Sequence, residues 1–151
     1  MKKRAFITIW LILLMTFVGC SPSDLPSGAY PKQAGSFKLV DGPISRPEHK
    51  ETDSPKTYFS EYQSAGGSSL AHTIYVYRQA DRAEKEYAEL KNSKKDGILP
   101  GETFRESGNK SIHVRSNEMM DIKWVCGSSL CEVASRDHEA ALQLADSLPY
   151  K

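Results

Sequence analysis

Three groups of side chains in this 151-residue sequence are spaced so that they can do chemistry. Cys126 and Cys131 flank Gly127–Leu130 (GSSL), which suits a short-loop disulfide or part of a metal site. Tyr58, Glu61 and Tyr62 lie in one β-prone stretch, Thr57–Gln63 (TYFSEYQ). His72, Tyr75 and Tyr77 lie in a second, Leu70–Arg78 (LAHTIYVYR). If Gln63 pairs with Leu70 across a hairpin, Glu61 faces His72. A carboxylate beside an imidazole can act as an acid–base pair or simply as a cross-strand ion pair. The same register aligns Tyr58 with Tyr75 and adds Tyr62 and Tyr77 to that face. Four tyrosines so placed form either a platform for glycan, peptide or protein, or a seam beneath packed helices.

Other candidates fail on spacing. Gly101–Ser111 (GETFRESGNKS) places Asn109 between Gly108 and Lys110, which breaks the spacing of a phosphate-cradling loop. Gly66-Gly67-Ser68-Ser69 lacks the flanking glycines of a nucleophile elbow, and no H-E-x-x-H occurs. The histidines His49, His72, His113 and His138 are scattered, so a zinc site built on Cys126 and Cys131 has no evident completing ligands. Neither a metal nor a cofactor is expected.

The N-terminus carries the most specific signal. Met1-Lys2-Lys3-Arg4 is cationic and the following fourteen residues, Ala5 to Val18, are almost all apolar. At about 1.5 Å rise per residue such a run spans ~21 Å, short of the roughly 30 Å hydrocarbon core, so it reads as a signal peptide. The junction Phe17-Val18-Gly19-Cys20 resembles the lipobox of bacterial lipoproteins, with Phe17 where that family usually has leucine. The resemblance implies cleavage before Cys20, a diacylglycerol on its thiol and usually an acyl chain on its amino group. Two or three chains, at ~0.8 kcal/mol per buried CH₂, hold a protein firmly to a bilayer. It also implies a place in the bacterial cell envelope facing the periplasm. In a Gram-negative host, Ser21 after the lipidated cysteine favours the outer over the inner membrane. An oxidising compartment makes a Cys126–Cys131 disulfide the expected state, contributing about 2 kcal/mol through its small loop.

With Lys2, Lys3 and Arg4 removed, 17 basic residues stand against 19 acidic ones, a net charge of −2. That offers no electrostatic footprint for nucleic acid. Ser21–Gly35 (SPSDLPSGAYPKQAG) is rich in proline, serine and glycine and reads as a flexible tether of roughly 20 Å. The domain boundaries expected are therefore 1–19 for the signal, 20–35 for lipidated cysteine and tether, and 36–151 for one globular domain.

Within that domain the periodicity predicts strands over Ser36–Val40, Thr57–Gln63, Leu70–Arg78, Ser111–Arg115, Glu118–Cys126 and Leu130–Ser135. A long loop runs from Gly42 to Pro55. Helices are predicted from Ala80 to about Ser93, capped by Asp81, and from about Asp137 to Leu148 with Ala141, Leu144, Ala145 and Leu148 inward. Gly67-Ser68-Ser69-Leu70 recurs as Gly127-Ser128-Ser129-Leu130, a hint of two strand–strand–helix repeats. The expected fold is α+β: an antiparallel sheet of five to six strands with both helices on one face. If Cys126 faces Cys131, Trp124 pairs with Val133 and Ile122 with Ser135, which places Met120, Ile122 and Trp124 on one sheet face.

The function expected from these features is that of a lipid-anchored envelope protein, a non-enzymatic module that binds another envelope protein or a glycan. The alternatives are a small envelope hydrolase using His72 and Glu61, and an inhibitor or accessory subunit of a cell-envelope machine.

Overall fold

The computed structural model describes residues 25–26, 28–46 and 54–150. Cys20, its lipobox and much of the Gly42–Pro55 loop lie outside the described residues. The chain builds β1 (Gln33–Ala34), β2 (Phe37–Arg46), β3 (Lys56–Gln63), β4 (Ser69–Val76), α1 (Ala80–Asp96), β5 (Thr103–Ser107), β6 (Lys110–Val114), β7 (Met120–Cys126), β8 (Ser129–Ser135) and α2 (His138–Ser147). All eight strands form one antiparallel sheet in the order β1-β2-β3-β4-β8-β7-β6-β5. The α+β class is as expected, with more strands than the five to six anticipated.

The additions have local causes. β5 lies inside GETFRESGNKS: Ser107 pairs with Lys110 across a two-residue turn, and Gly108 takes φ 60° there. The segment β1 turns back through Gly35 to pair Ala34 with Phe37. This shortens the expected tether. Ala29 and Ala34 are buried, Tyr30 donates to the Tyr58 carbonyl at 2.9 Å, and Tyr62 donates to the Pro31 carbonyl at 2.9 Å. The stretch from Gly28 therefore belongs to the folded body, because its backbone acceptors satisfy buried tyrosine hydroxyls.

The helices lie on opposite faces of the sheet, not on one. β8 explains this by alternation: Cys131 and Val133 join the core beneath α2, while Leu130 joins Ala83, Tyr77, Tyr75 and Tyr87 beneath α1. The α2 core is large and apolar, with Phe37, Tyr62, Leu70, Ile74, Ile122, Trp124, Leu144 and Leu148 essentially fully buried. Asp137 caps α2 by accepting from the Ala140 N–H at 3.0 Å. The α1 side is thinner and polar. Gln79 stands at the N-cap without a side-chain bond, and Asp81 sits in the first turn instead of capping it.

The strand–strand–helix order does recur, in β3-β4-α1 and β7-β8-α2, but the two GSSL stretches are not equivalent. Leu70 points to the α2 side and Leu130 to the α1 side. Their hairpins also differ in loop length, Ser64–Ser68 in the first against Gly127-Ser128 in the second.

One glycine is needed for close approach. Gly42 has φ 93° on β2, where the pairing with β3 is irregular. A Cβ there would lie 2.7 Å from the Phe59 carbonyl oxygen and 2.8 Å from the Ser60 Cα. Gly42→Ala is expected to lower stability by about 1–3 kcal/mol, read from the urea midpoint, since left-handed strain adds to the backbone clash.

Candidate functional site

The β3–β4 register is one residue away from the expected one. Gln63 pairs with Ser69, Glu61 with Ala71, Ser60 with His72, and Tyr58 with Ile74. Because side chains alternate, a one-residue slip sends every residue of one strand to the other face. The four tyrosines therefore do not share a face. Tyr62 is buried with Tyr58 packed at its side in the α2 core, whereas Tyr75 and Tyr77 join the α1 cluster. His72 and Glu61 are separated by the sheet, so the expected acid–base pair does not exist. Glu61 accepts instead from the Ser69 hydroxyl.

His72 is a core residue. It is fully buried, with ring centroids of Tyr30 at 5.0 Å, Tyr62 at 6.1 Å and Tyr150 at 5.9 Å. The Tyr150 hydroxyl donates to the Ala29 carbonyl at 2.9 Å and lies 2.7 Å from His72 Nε2. A carbonyl can only accept, so the single tyrosine proton goes to Ala29 and His72 Nε2–H donates to Tyr150. Burial holds this imidazole neutral by lowering its pKa from 6.5 to about 3.

The β7–β8 register corrects the cysteine pair as well. Trp124 pairs with Cys131, Ile122 with Val133, and Cys126 with Ser129. The turn is thus Gly127-Ser128 alone, and the two cysteines are diagonal neighbours on one face rather than opposite partners. Both are free thiols in this structure. Burial raises the pKa of each, most strongly for Cys131, so neither is poised as a thiolate nucleophile. Among the described residues no group of three or more His, Cys, Asp or Glu side chains can hold a metal ion.

The chemistry gathers elsewhere, under α1. On that face β6 presents Ser111 and His113, with Arg115 just past its end, β7 presents Asp121 and Lys123, and β8 presents Glu132. Two adjoining cavities open between these strands and the helix. One, of about 200 Å³, is lined among others by Leu90, Lys94, Glu102, His113, Arg115 and Asp121. The other, of about 490 Å³, is lined by Tyr75, Tyr77, Leu130 and, from α1, Glu86, Glu89 and Ser93. Leu90, Lys94 and Lys123 line both, so they form one cleft with a polar lobe and a tyrosine lobe.

The polar lobe is tightly ordered. His113 Nε2 lies 3.0 Å from Glu102 Oε2 and its Nδ1 3.8 Å from Asp121 Oδ2. Arg115 Nε donates to the same Asp121 oxygen at 2.5 Å, and Lys94 Nζ is 3.9 Å from Glu102. Lys123 Nζ lies 3.2 Å from Glu132 Oε2, which also accepts from the Tyr75 hydroxyl at 3.0 Å. The hydrogen bond from His113 holds the Glu102 carboxyl below its usual pKa. Burial pushes that of Asp121 up against the pull of Arg115. Asp121 is 2 % exposed, and its Oδ1 has no hydrogen-bond partner.

Ser111 shares the lobe with His113, whose two ring nitrogens face Glu102 and Asp121. Tyr77, with its pKa pushed up to about 12 by burial, stays protonated and supplies a ring wall. The sequence carried a signal for this site that went unused. Ile112 and Val114 alternate with Ser111, His113 and Arg115, and Ile122 and Trp124 with Asp121 and Lys123, a polar stripe beside an apolar one.

Comparison with protein-family models, curated proteins and solved structures finds no match to this chain. No helix among the described residues is long and apolar enough to cross a membrane.

Proposed function

We propose that this chain is a lipid-anchored protein of the bacterial envelope whose single domain is a binding module, with the cleft under α1 as its recognition site. The observation that carries the binding half is the cleft itself: two adjoining cavities beneath α1 that share Leu90, Lys94 and Lys123, one lined by charged side chains and the other walled by Tyr75 and Tyr77. The anchor half rests on the cationic start, the apolar run and the Val18-Gly19-Cys20 junction. With His72 locked in the core and Glu61 across the sheet, nothing supports a hydrolase using that pair.

Both halves have a direct test. Mass spectrometry of the N-terminal peptide from native membranes is expected to show acylated Cys20; an unmodified thiol contradicts the anchor. For the cleft, Ser93 is an exposed position on α1 that lines the tyrosine lobe, so Ser93→Trp fills the mouth without touching the sheet. Detergent-extracted protein is expected to rebind isolated envelope fragments, and Ser93→Trp to weaken this at least tenfold. Gln143→Trp, on exposed α2 surface, is expected to leave it unchanged. Equal retention by both variants contradicts the cleft as the site.

A further inference from the structure

Along α1 the tyrosine lobe changes sign. Glu86, Glu89, Leu90, Ser93 and Lys94 follow the i, i+3, i+4, i+7, i+8 spacing of one helical face, and all five line the lobe. Its acidic end is set by Glu86 and Glu89. Its basic end is set by Lys94, which comes later on the helix, and by Lys123 of β7; both of these also line the polar lobe. Tyr75, Tyr77 and Leu130 supply the sheet side between the two ends, a surface suited to apolar groups.

Each end has bonding capacity left over. Glu86 is held by Arg82 at 2.6 Å, whereas Glu89 is exposed and has no partner among the described residues. Lys94 Nζ stands 3.9 Å from Glu102, beyond hydrogen-bond reach. Lys123 lies 3.2 Å from Glu132, a contact that occupies at most one of its three N–H groups. A cationic group can therefore join Glu89, and an anionic group can take N–H groups from Lys94 and Lys123, with every existing pair kept. A ligand of one sign that filled the lobe would meet its own charge at one end.

Length narrows the class further. Glu89 and Glu86 precede Lys94 by five and eight residues, about 7.5 and 12 Å along the helix axis. An extended peptide covers roughly 3.3–3.6 Å per residue, so its two ends stand about 7 Å apart in a dipeptide and about 10 Å apart in a tripeptide. A single α-amino acid, with both charges on one carbon, cannot reach across. The lobe, at about 490 Å³, has the size of a small-ligand cleft. We infer that it binds a peptide of two or three residues with both ends free. The ammonium lies at Glu89 and Glu86, the carboxylate at Lys94 and Lys123, and an apolar side chain rests against Tyr75 and Tyr77. This inference rests on the reading of the cleft as the recognition site, and it names the ligand class.

The test uses the full chain in nonionic detergent and three forms of one probe, alanyl-leucyl-alanine: both ends free, N-acetylated, and C-amidated. Saturation-transfer NMR titration is expected to show the free form binding most tightly. Either cap should weaken it at least threefold, the modest effect of deleting one exposed charge contact. Glu89→Gln is expected to shrink the penalty of N-acetylation and keep that of amidation, Lys94→Gln to do the reverse, and Ser93→Trp to weaken all three forms. The capping comparison needs no variant, so it decides the charge argument even where a substitution loses its fold. Equal binding of free and capped forms overturns the two-ended class. Exchanged effects of Glu89→Gln and Lys94→Gln overturn the orientation, and free tripeptide held equally by Ser93→Trp overturns the placement. If no form binds while Ser93→Trp still weakens retention of envelope fragments, the peptide class is wrong and the recognition site stands. If Ser93→Trp leaves that retention intact as well, both fall.

Discussion

Replacing Tyr150 by alanine is expected to lower the free energy of unfolding by about 3–5 kcal/mol, the range for emptying a buried aromatic site. Tyr150 is three residues past the end of α2, next to the last residue of the chain, where sequence alone gives no reason to expect a core residue. Yet its ring stacks against His72 and Trp124, with centroids 5.9 and 6.2 Å away. Its hydroxyl joins Ala29 to His72, and its carbonyl accepts from Trp124 Nε1 at 3.2 Å. The residue thus ties the C-terminus to the N-terminal segment across β4 and β7. Tyr150→Phe separates the contributions: it keeps the ring and is expected to cost about 1–3 kcal/mol, because the Ala29 carbonyl and the His72 N–H are then left without their partner. Urea unfolding of both variants checks the order. Equal stability of Tyr150→Ala and the parent would mean that the terminus is not docked in solution.

The second large effect is loss of stability in acid. Unfolded, His72 titrates near its ordinary 6.5; folded, burial lowers that to about 3. Between these values the unfolded chain binds a proton that the folded chain refuses. The contribution of the neutral ring is therefore fully present above pH 6.5, declines as the pH falls and is gone below about 3. At ~1.36 kcal/mol per unit the whole span is worth roughly 3–5 kcal/mol, of which about 2 kcal/mol is lost between pH 6.5 and 4.5. Glu102, Glu106 and Asp137, whose carboxyls sit below their usual values, add losses in the same direction at lower pH. Asp121, raised by burial, opposes them. The informative comparison is therefore with His72→Phe, which keeps an aromatic ring and removes the titration. Its unfolding free energy is expected to change about 2 kcal/mol less than the parent's across pH 6.5–4.5. Parallel curves would place the imidazole in contact with water.

These two expectations concern residues that sequence reading placed wrongly or passed over, and the reason is physical. The strands and helices were legible because Leu70, Ile74 and Val76 alternate with polar residues and Ala141, Leu144, Ala145 and Leu148 share a helical face. Register was not. The sequence of the loop Ser64–Ser68 allows Gln63 to meet either Ser69 or Leu70, and the choice of Ser69 reverses which of Glu61, His72 and the tyrosines share a face. The same applies at Gly127-Ser128, where a two-residue turn moved Cys131 from Cys126 to Trp124. That slip of two residues left each side chain on its expected face; helix sidedness was missed separately, since it depends on which alternate residues of β8 each helix meets. β5 was missed because an edge strand of Thr103–Ser107 is mostly exposed and shows little apolar alternation. The cleft under α1 follows from all of these together. Its residues were in view one by one, and only the register brings His113, Asp121, Lys123 and Glu132 side by side.

We propose that the domain meets its ligand on the α1 side. Hydrogen-exchange mass spectrometry of the full chain, alone and bound to isolated envelope fragments, tests it most directly. Binding is predicted to slow amide exchange in α1 and across β6 and β7, and to leave α2 unchanged. Protection confined to α2, or to the exposed length of β2, would contradict it.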